Sequence, residues 1–200
     1  ETEYELRAIP LGGFVNLEGE EKESNDNRSY SKASIPKRMA VIVAGGLVNI
    51  IFGLTTYFLL ILIRYMIVKN MSFVTAISYS AQSLGLLIQS MFDGIIQLFT
   101  GKVGVNDMMG PVGISEMVSQ TSGIVEFIYL LSIISVSLGM TNLLPIIPLD
   151  GGKFLLLIIE AIRKKPLDKE LELKIQSYGC LLLVLFSAII AVNDIIRWIH

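Results

Sequence analysis

Cysteine and histidine each occur once in the 200 residues, as Cys180 and His200. A single cysteine excludes an internal disulfide and gives no metal-binding motif. A single histidine at the chain's end excludes an H-E-x-x-H helix, so these residues alone cannot assemble a zinc site. Charge is scarce as well: Asp, Glu, Lys and Arg make up 17% of the chain and the formal net charge is -2. No basic face dense enough to neutralise a phosphate backbone is present, which excludes a nucleic-acid partner. There is no internal repeat, low-complexity tract or long linker. The chain opens at Glu1 with residues too polar for a signal peptide, and it is expected to be cropped from a longer protein.

What is abundant is apolar surface, 52% of the residues, with a mean hydropathy of +0.64. It is gathered into blocks. Met39 to Ile63, Phe127 to Leu149 and Ile175 to Val192 carry no charge, and each reaches or nears the roughly 20 residues that a spanning helix needs. Lys32, Lys37 and Arg38 precede the first block; Lys153, Arg163, Lys164, Lys165, Lys169 and Lys174 lie between the second and third. The positive-inside bias makes both flanks cytoplasmic. A fourth apolar stretch, Leu84 to Phe99, would export those basic residues if it crossed. It is therefore read as a helix on the membrane surface, with Gln82, Gln89, Asp93 and Gln97 as its polar stripe.

The expected architecture is an all-α polytopic membrane protein with a small β-hairpin, three transmembrane helices and an interfacial amphipathic helix. Tyr4 to Ile9 alternates apolar and charged side chains before the turn Pro10-Leu11-Gly12-Gly13 and the short run Phe14 to Leu17, which predicts the hairpin. The hairpin and a polar loop occupy 1–34, a transmembrane helix 35–67, and the surface helix with a glycine- and proline-rich segment 68–122. A second span follows over 123–152, a cytoplasmic helix and basic loop over 153–174, and a third span over 175–200.

The stretch richest in chemistry is Asn142-Leu143-Leu144-Pro145-Ile146-Ile147-Pro148-Leu149-Asp150-Gly151-Gly152. Pro145 and Pro148 remove helix hydrogen bonds, and the freed carbonyls are tolerable at membrane depth only against protein or a water-filled cavity. An ionisable group there is a functional-site hypothesis, and Asp150 is that group. Two readings of it stand together. A carboxylate fixed at a turn beside Gly151 suits metal ligation as one of three protein ligands; an aspartate before the helical run Gly151 to Ile162 equally suits an N-cap. Asn142 suits hydrogen bonding to a substrate backbone or oxyanion, or to a neighbouring helix. Gly45, Asn49 and Gly53 recur every four residues and share a face, read as a close helix contact with an amide in its seam. A hairpin beside such a site can take up an extended peptide as an added strand, or serve only as structure.

These residues resemble a known family. Asn142-x-x-Pro145 through Leu149-Asp150-Gly151-Gly152 is similar to the N-x-x-P…L-D-G signature of the site-2 proteases, in the bacterial regulator-of-sigma-E branch. Ile9 to Val15 resembles that branch's membrane re-entrant β-hairpin, and Gly45-Gly46-Leu47-Val48-Asn49 its G-x-x-x-N helix. Thr100-Gly101-Lys102 with Gly110 to Ile114 resembles its segment before the third span. The resemblance runs from Glu1 to about Asp194. It implies a multi-pass zinc endopeptidase of the bacterial cytoplasmic (inner) membrane that cuts a membrane-spanning helix within the lipid bilayer, such as that of an anti-sigma factor or a leftover signal peptide. It implies Asp150 as the third zinc ligand, Asn142 and the hairpin at Gly12, Gly13 and Phe14 in substrate handling, and Asn49, Pro145, Pro148 and Gly151 lining the site. The family's H-E-x-x-H segment is not in this chain, and the place of its outer PDZ domain is reduced to a few residues near Val68, expected to be a junction. Lys153 stands where the branch often has histidine. Two other functions compete: a non-catalytic module that binds transmembrane helices, and a transporter or channel component using Asp150 and Asn142 as an ion or proton site.

Overall fold

The computed structural model describes residues 15, 17–19, 26, 29–104 and 107–199, in two compact units, 1–38 and 39–200. In the first unit, a turn at Glu18 and Gly19 is tied down by the Tyr30 N–H, which donates to the Glu18 carbonyl at 2.8 Å. Gly19 has φ +81°, and a β-carbon there would come within 2.8 Å of Ser29 Cβ, so both conformation and space call for glycine. A single 3-10 turn, Tyr30–Lys32, leads toward the first long helix. Gly12, Gly13 and Phe14 of the expected hairpin lie outside the described residues. No strand occurs among the described ones, and Val15 and Leu17 are irregular.

Among the described residues six α-helices follow: α1 (Ile35–Ile67), α2 (Phe73–Phe99), α3 (Pro111–Ser119), α4 (Ile124–Asn142), α5 (Asp150–Arg163) and α6 (Lys169–Ile199). Three have the length and apolarity to cross a membrane, at Ile35–Ile67, Ile124–Asn142 and Glu170–Trp198, as the charge-free blocks predict. Pro36 sits in the first turn of α1, where its missing N–H has no intrahelical partner to lose. At the start of α4 the N-cap Gly123 has no capping side chain. Glu126 reaches back instead and accepts both the N–H and the hydroxyl of Ser122 at 2.8 Å.

α1 and α4 form an antiparallel pair built on small residues. Tyr57 meets Tyr129 with ring centroids 5.7 Å apart, and Ser135 Oγ donates to the Asn49 carbonyl at 2.9 Å. A β-carbon at Gly53 would lie 2.6 Å from the Ser132 carbonyl oxygen, and one at Gly139 would lie 2.7 Å from Ile50 Cγ1. In lipid, where helices gain little by hiding apolar surface from one another, such backbone approach is what holds a pair together. The seam is displaced from the expected one. Gly46, Gly53 and Tyr57 are its buried residues on α1, while Gly45 is exposed, and Asn49 contributes its backbone carbonyl rather than its amide.

α2 differs more. Its polar stripe is on the exposed side, as predicted, but the opposite face is not spread on a surface. Tyr79 packs on Tyr65 with centroids 5.6 Å apart, Leu87 joins Tyr57 and Ile61 in the buried cluster, and Ser137 of α4 donates to the Met91 sulfur at 3.5 Å. α2 thus runs antiparallel to α1 for about three turns, down to the level of Ser137. Periodicity shows which face of a helix is apolar and not whether lipid or protein covers it. The connection from α1 is tight. Met71 N–H donates to the Tyr65 carbonyl at 3.2 Å, Asn70 takes φ +49°, and Ser72 caps α2 by accepting from the Thr75 N–H.

Two further boundaries depart from expectation. The Gly110-Pro111 break opens a helix rather than a loop, α3, with proline in its first turn. α6 begins at Lys169, so the basic connection shrinks to the few residues after the left-handed Lys164.

Candidate functional site

α4 ends at Asn142, and the chain reverses through residues 143–149 into α5. The prolines prevent the helix from continuing, and short bonds replace its ladder: Leu144 N–H to the Thr141 carbonyl (3.0 Å), Ile146 N–H to Leu144 (2.7 Å) and Leu149 N–H to Ile146 (2.8 Å). Pro145 is exposed and Pro148 half-buried; the Ile147–Pro148 peptide is cis. Glycines close around this turn. A β-carbon at Gly151 would overlap the carbonyl oxygens of Leu143 and Leu144. One at Gly152 would lie 2.7 Å from the Ile146 carbonyl, and one at Gly179 of α6 would lie 2.6 Å from that of Ile147. The backbone that delivers Asp150 is thereby clamped from two helices.

Asp150 is the first residue of α5, and the cap position belongs to Leu149. Its carboxylate makes no capping bond and has no hydrogen-bond partner among the described residues, which removes the cap reading. It stands at the positive end of the α5 dipole, a favourable place for an anion. It points toward α1 at Gly45, where an added β-carbon would be 3.9 Å from Asp150 Oδ2. Glycine there leaves the space before the carboxylate open. Asn142 is half-buried at the end of α4, and neither its amide nor that of Asn49 is hydrogen-bonded among the described residues.

Of the residues singled out from the sequence, Asp150, Gly151, Pro145, Pro148 and Asn142 come together at the α4–α5 turn, with Gly45 of α1 beside them. Asn49 lies one turn away in the α1–α4 seam. No group of three or more His, Cys, Asp or Glu that could hold a metal converges among the described residues, and at this turn the candidate ligand is Asp150. That ligand has the right character: an oxygen donor, unpartnered and fixed by clamped backbone. Gly179 was not singled out, because close backbone approach leaves no periodic trace in a sequence.

Residues 1–186 match peptidase family M50, and the chain belongs to that family, the site-2 proteases. It is similar to the zinc metalloprotease RasP of Bacillus licheniformis, 39% identical over 125 residues, covering 62% of this chain and 30% of that protein. It is also similar to the regulator of sigma-W protease RasP of Bacillus subtilis, 38% identical over 125 residues with the same coverage. A putative zinc metalloprotease of Clostridium acetobutylicum aligns at 20% identity over 282 residues, 98% of this chain and 83% of the relative. That alignment is longer than the chain, so the relative carries residues between matched positions that are absent here. The chain spans about a third of the length of the two RasP proteins.

Proposed function

We propose that this chain is the core of a zinc-dependent intramembrane endopeptidase of the bacterial cytoplasmic membrane, acting on transmembrane segments of other membrane proteins. The observation that carries the proposal is the Asp150 carboxylate, held on a clamped turn beside spanning helices and left without a hydrogen-bond partner among the described residues. A buried or lipid-adjacent carboxylate kept unsatisfied is costly, so an oxygen ligand reserved for a cation accounts for it better than packing does. Asp150 would hold zinc together with two histidines of an H-E-x-x-H segment in the longer protein, whose glutamate would act as the base. When bound, zinc supplies Lewis acidity, activating water and polarising a peptide carbonyl.

The chain's own residues then have separate tasks. Gly45 keeps open the space in front of the carboxylate, and Gly151 lets α5 start close enough to the α4 end to aim Asp150 at it. Asn142, its amide unbonded among the described residues, would hydrogen-bond the backbone of an unwinding substrate. Gly12, Gly13 and Phe14 would pair with that substrate as an added strand. Substrates of the anti-sigma-factor or remnant-signal-peptide type fit this reading, in keeping with the sigma-W regulator among the relatives.

The test is Asp150→Ala in the complete protein in membranes, read by zinc content and by cleavage of a transmembrane reporter. Loss of bound zinc and a fall in cleavage of at least about 100-fold are expected, since even outer partners of zinc ligands are worth 10–100-fold. Cleavage at the parent rate would remove the catalytic role and leave a module that binds transmembrane helices without cutting them.

A further inference from the structure

A buried acid, remote in sequence from Asp150, sits near the C-terminal end of α6. Asp194 is 4% exposed. Its Oδ2 accepts the N–H of Gly110 at 2.9 Å and of Gly113 at 3.0 Å, while Oδ1 is paired with Arg197 Nη2 at 2.5 Å. The same guanidinium nitrogen donates to the Met108 carbonyl at 2.8 Å. Gly110 is the N-cap of α3 and Gly113 its third residue, the two N–H groups that a capping box satisfies from within a helix. Here one carboxylate from another helix satisfies both. The glycines make room for it: a β-carbon at Gly110 would be 2.7 Å from Asp194 Oδ2 and 2.8 Å from Ile190 Cγ2. The G-P-V-G run is thus a cradle for an acid about 80 residues away.

The rest of α6 explains why this contact matters. Every residue from Leu181 to Ile189 is exposed, so over more than two turns the helix buries little of itself against the rest of the chain. Below that stretch Gly179 rests on the Ile147 carbonyl, three residues before Asp150; above it come Ile190 and Asp194. α3, at nine residues, is too short to persist by its own propensity.

We propose that Asp194 is an interhelical latch that caps α3 in trans, so that α3 remains helical only while the end of α6 is docked on it. When the latch opens, the end of α6 pivots about the Gly179–Ile147 contact and α3 loses its N-terminal cap. One consequence rests on the protease reading: the pivot lies on the turn that carries Asp150, so latch opening changes access to that turn.

The experiment measures distance and needs no catalysis. The complete protein, carrying Cys180→Ser, is spin-labelled at Ser115→Cys on α3 and Ile195→Cys on α6, both exposed positions, and placed in lipid nanodiscs. The parent should give one narrow distance distribution. With Asp194→Ala it should broaden and move outward by about 5 Å or more, the pitch of one turn; an unchanged distribution would overturn the latch. If that variant fails to accumulate, Arg197→Gln carries the test. It removes the ion pair and the Met108 bond but leaves both glycine bonds, so broadening without the full shift is expected, and a parent-like distribution overturns the proposal. Cleavage by Asp194→Ala is read separately. A moved distance with unchanged cleavage keeps the latch and discards its link to Asp150.

Discussion

Asp150 and Asp194 are both carboxylates at the end of an apolar helix, and the protein treats them in opposite ways. Asp194 is wrapped, with two backbone N–H donors and an arginine on its two oxygens. Asp150 has its backbone gripped by glycine contacts while its oxygens are left unbonded among the described residues. An acid that finishes its hydrogen bonding inside the fold contributes to structure. An acid whose position is fixed but whose valence is open is available to something outside the fold. The difference lies in what surrounds each side chain, since the residue type is the same.

The sharpest way to break this contrast is to remove the charge at each position while keeping the shape. Asp150→Asn should abolish cleavage and zinc uptake in the complete protein yet, with both proteins stripped of metal by a chelator so that bound zinc stabilises neither, leave the thermal midpoint unchanged, because no internal bond is lost; a clear drop in that metal-free midpoint would mean the carboxylate has a structural partner after all. Asp194→Asn should do the reverse, lowering the midpoint by several degrees while zinc content stays at the parent level. Midpoint and metal analysis on the same two preparations decide the matter.

Next in size is the clamp. Gly151→Val places a branched side chain against the Leu143 and Leu144 carbonyls and should displace α5, with cleavage falling about 100-fold, as misplacement of a reacting group by about 1 Å can cost. Parent-like activity would show that the turn yields without moving Asp150. Gly53→Val probes the α1–α4 seam alone. Overpacking against Ser132 and Val136 should destabilise by about 1–3 kcal/mol, measurable by denaturation in mild detergent, with little change in zinc binding. The smallest effect belongs to Ser135→Ala, which deletes one bond to the Asn49 carbonyl and should cost about 0.6 kcal/mol, the average for interhelical side-chain bonds in a membrane. A loss several times larger would make that bond a linchpin of the pair.

Much of this was legible in the sequence, for particular reasons. The three spans follow from charge-free runs, because lipid tolerates few alternatives to a long apolar helix. The end of α4 at Asn142 and the turn into α5 follow from Pro145 and Pro148. Asp150 stood out as an ionisable group at such a break. α2 was less legible: its amphipathic period placed the polar stripe correctly, but the partner of its apolar face is a tertiary fact. The same holds for the seam, where Gly45 and Gly46 are adjacent and only the helix rotation selects Gly46.

By itself, then, the sequence determined the membrane class, the spans and the position of the acid beside the broken helix, all consequences of solvation and of proline's missing N–H. Only the tertiary structure decided which acid is open and which is closed. Asp150 and its alternative role as a cap differ by one residue of helix register, and Asp194 finds its donors about 80 residues away. Hydrogen-bond satisfaction depends on three-dimensional neighbours to within a few tenths of an ångström, and no spacing along the chain encodes that.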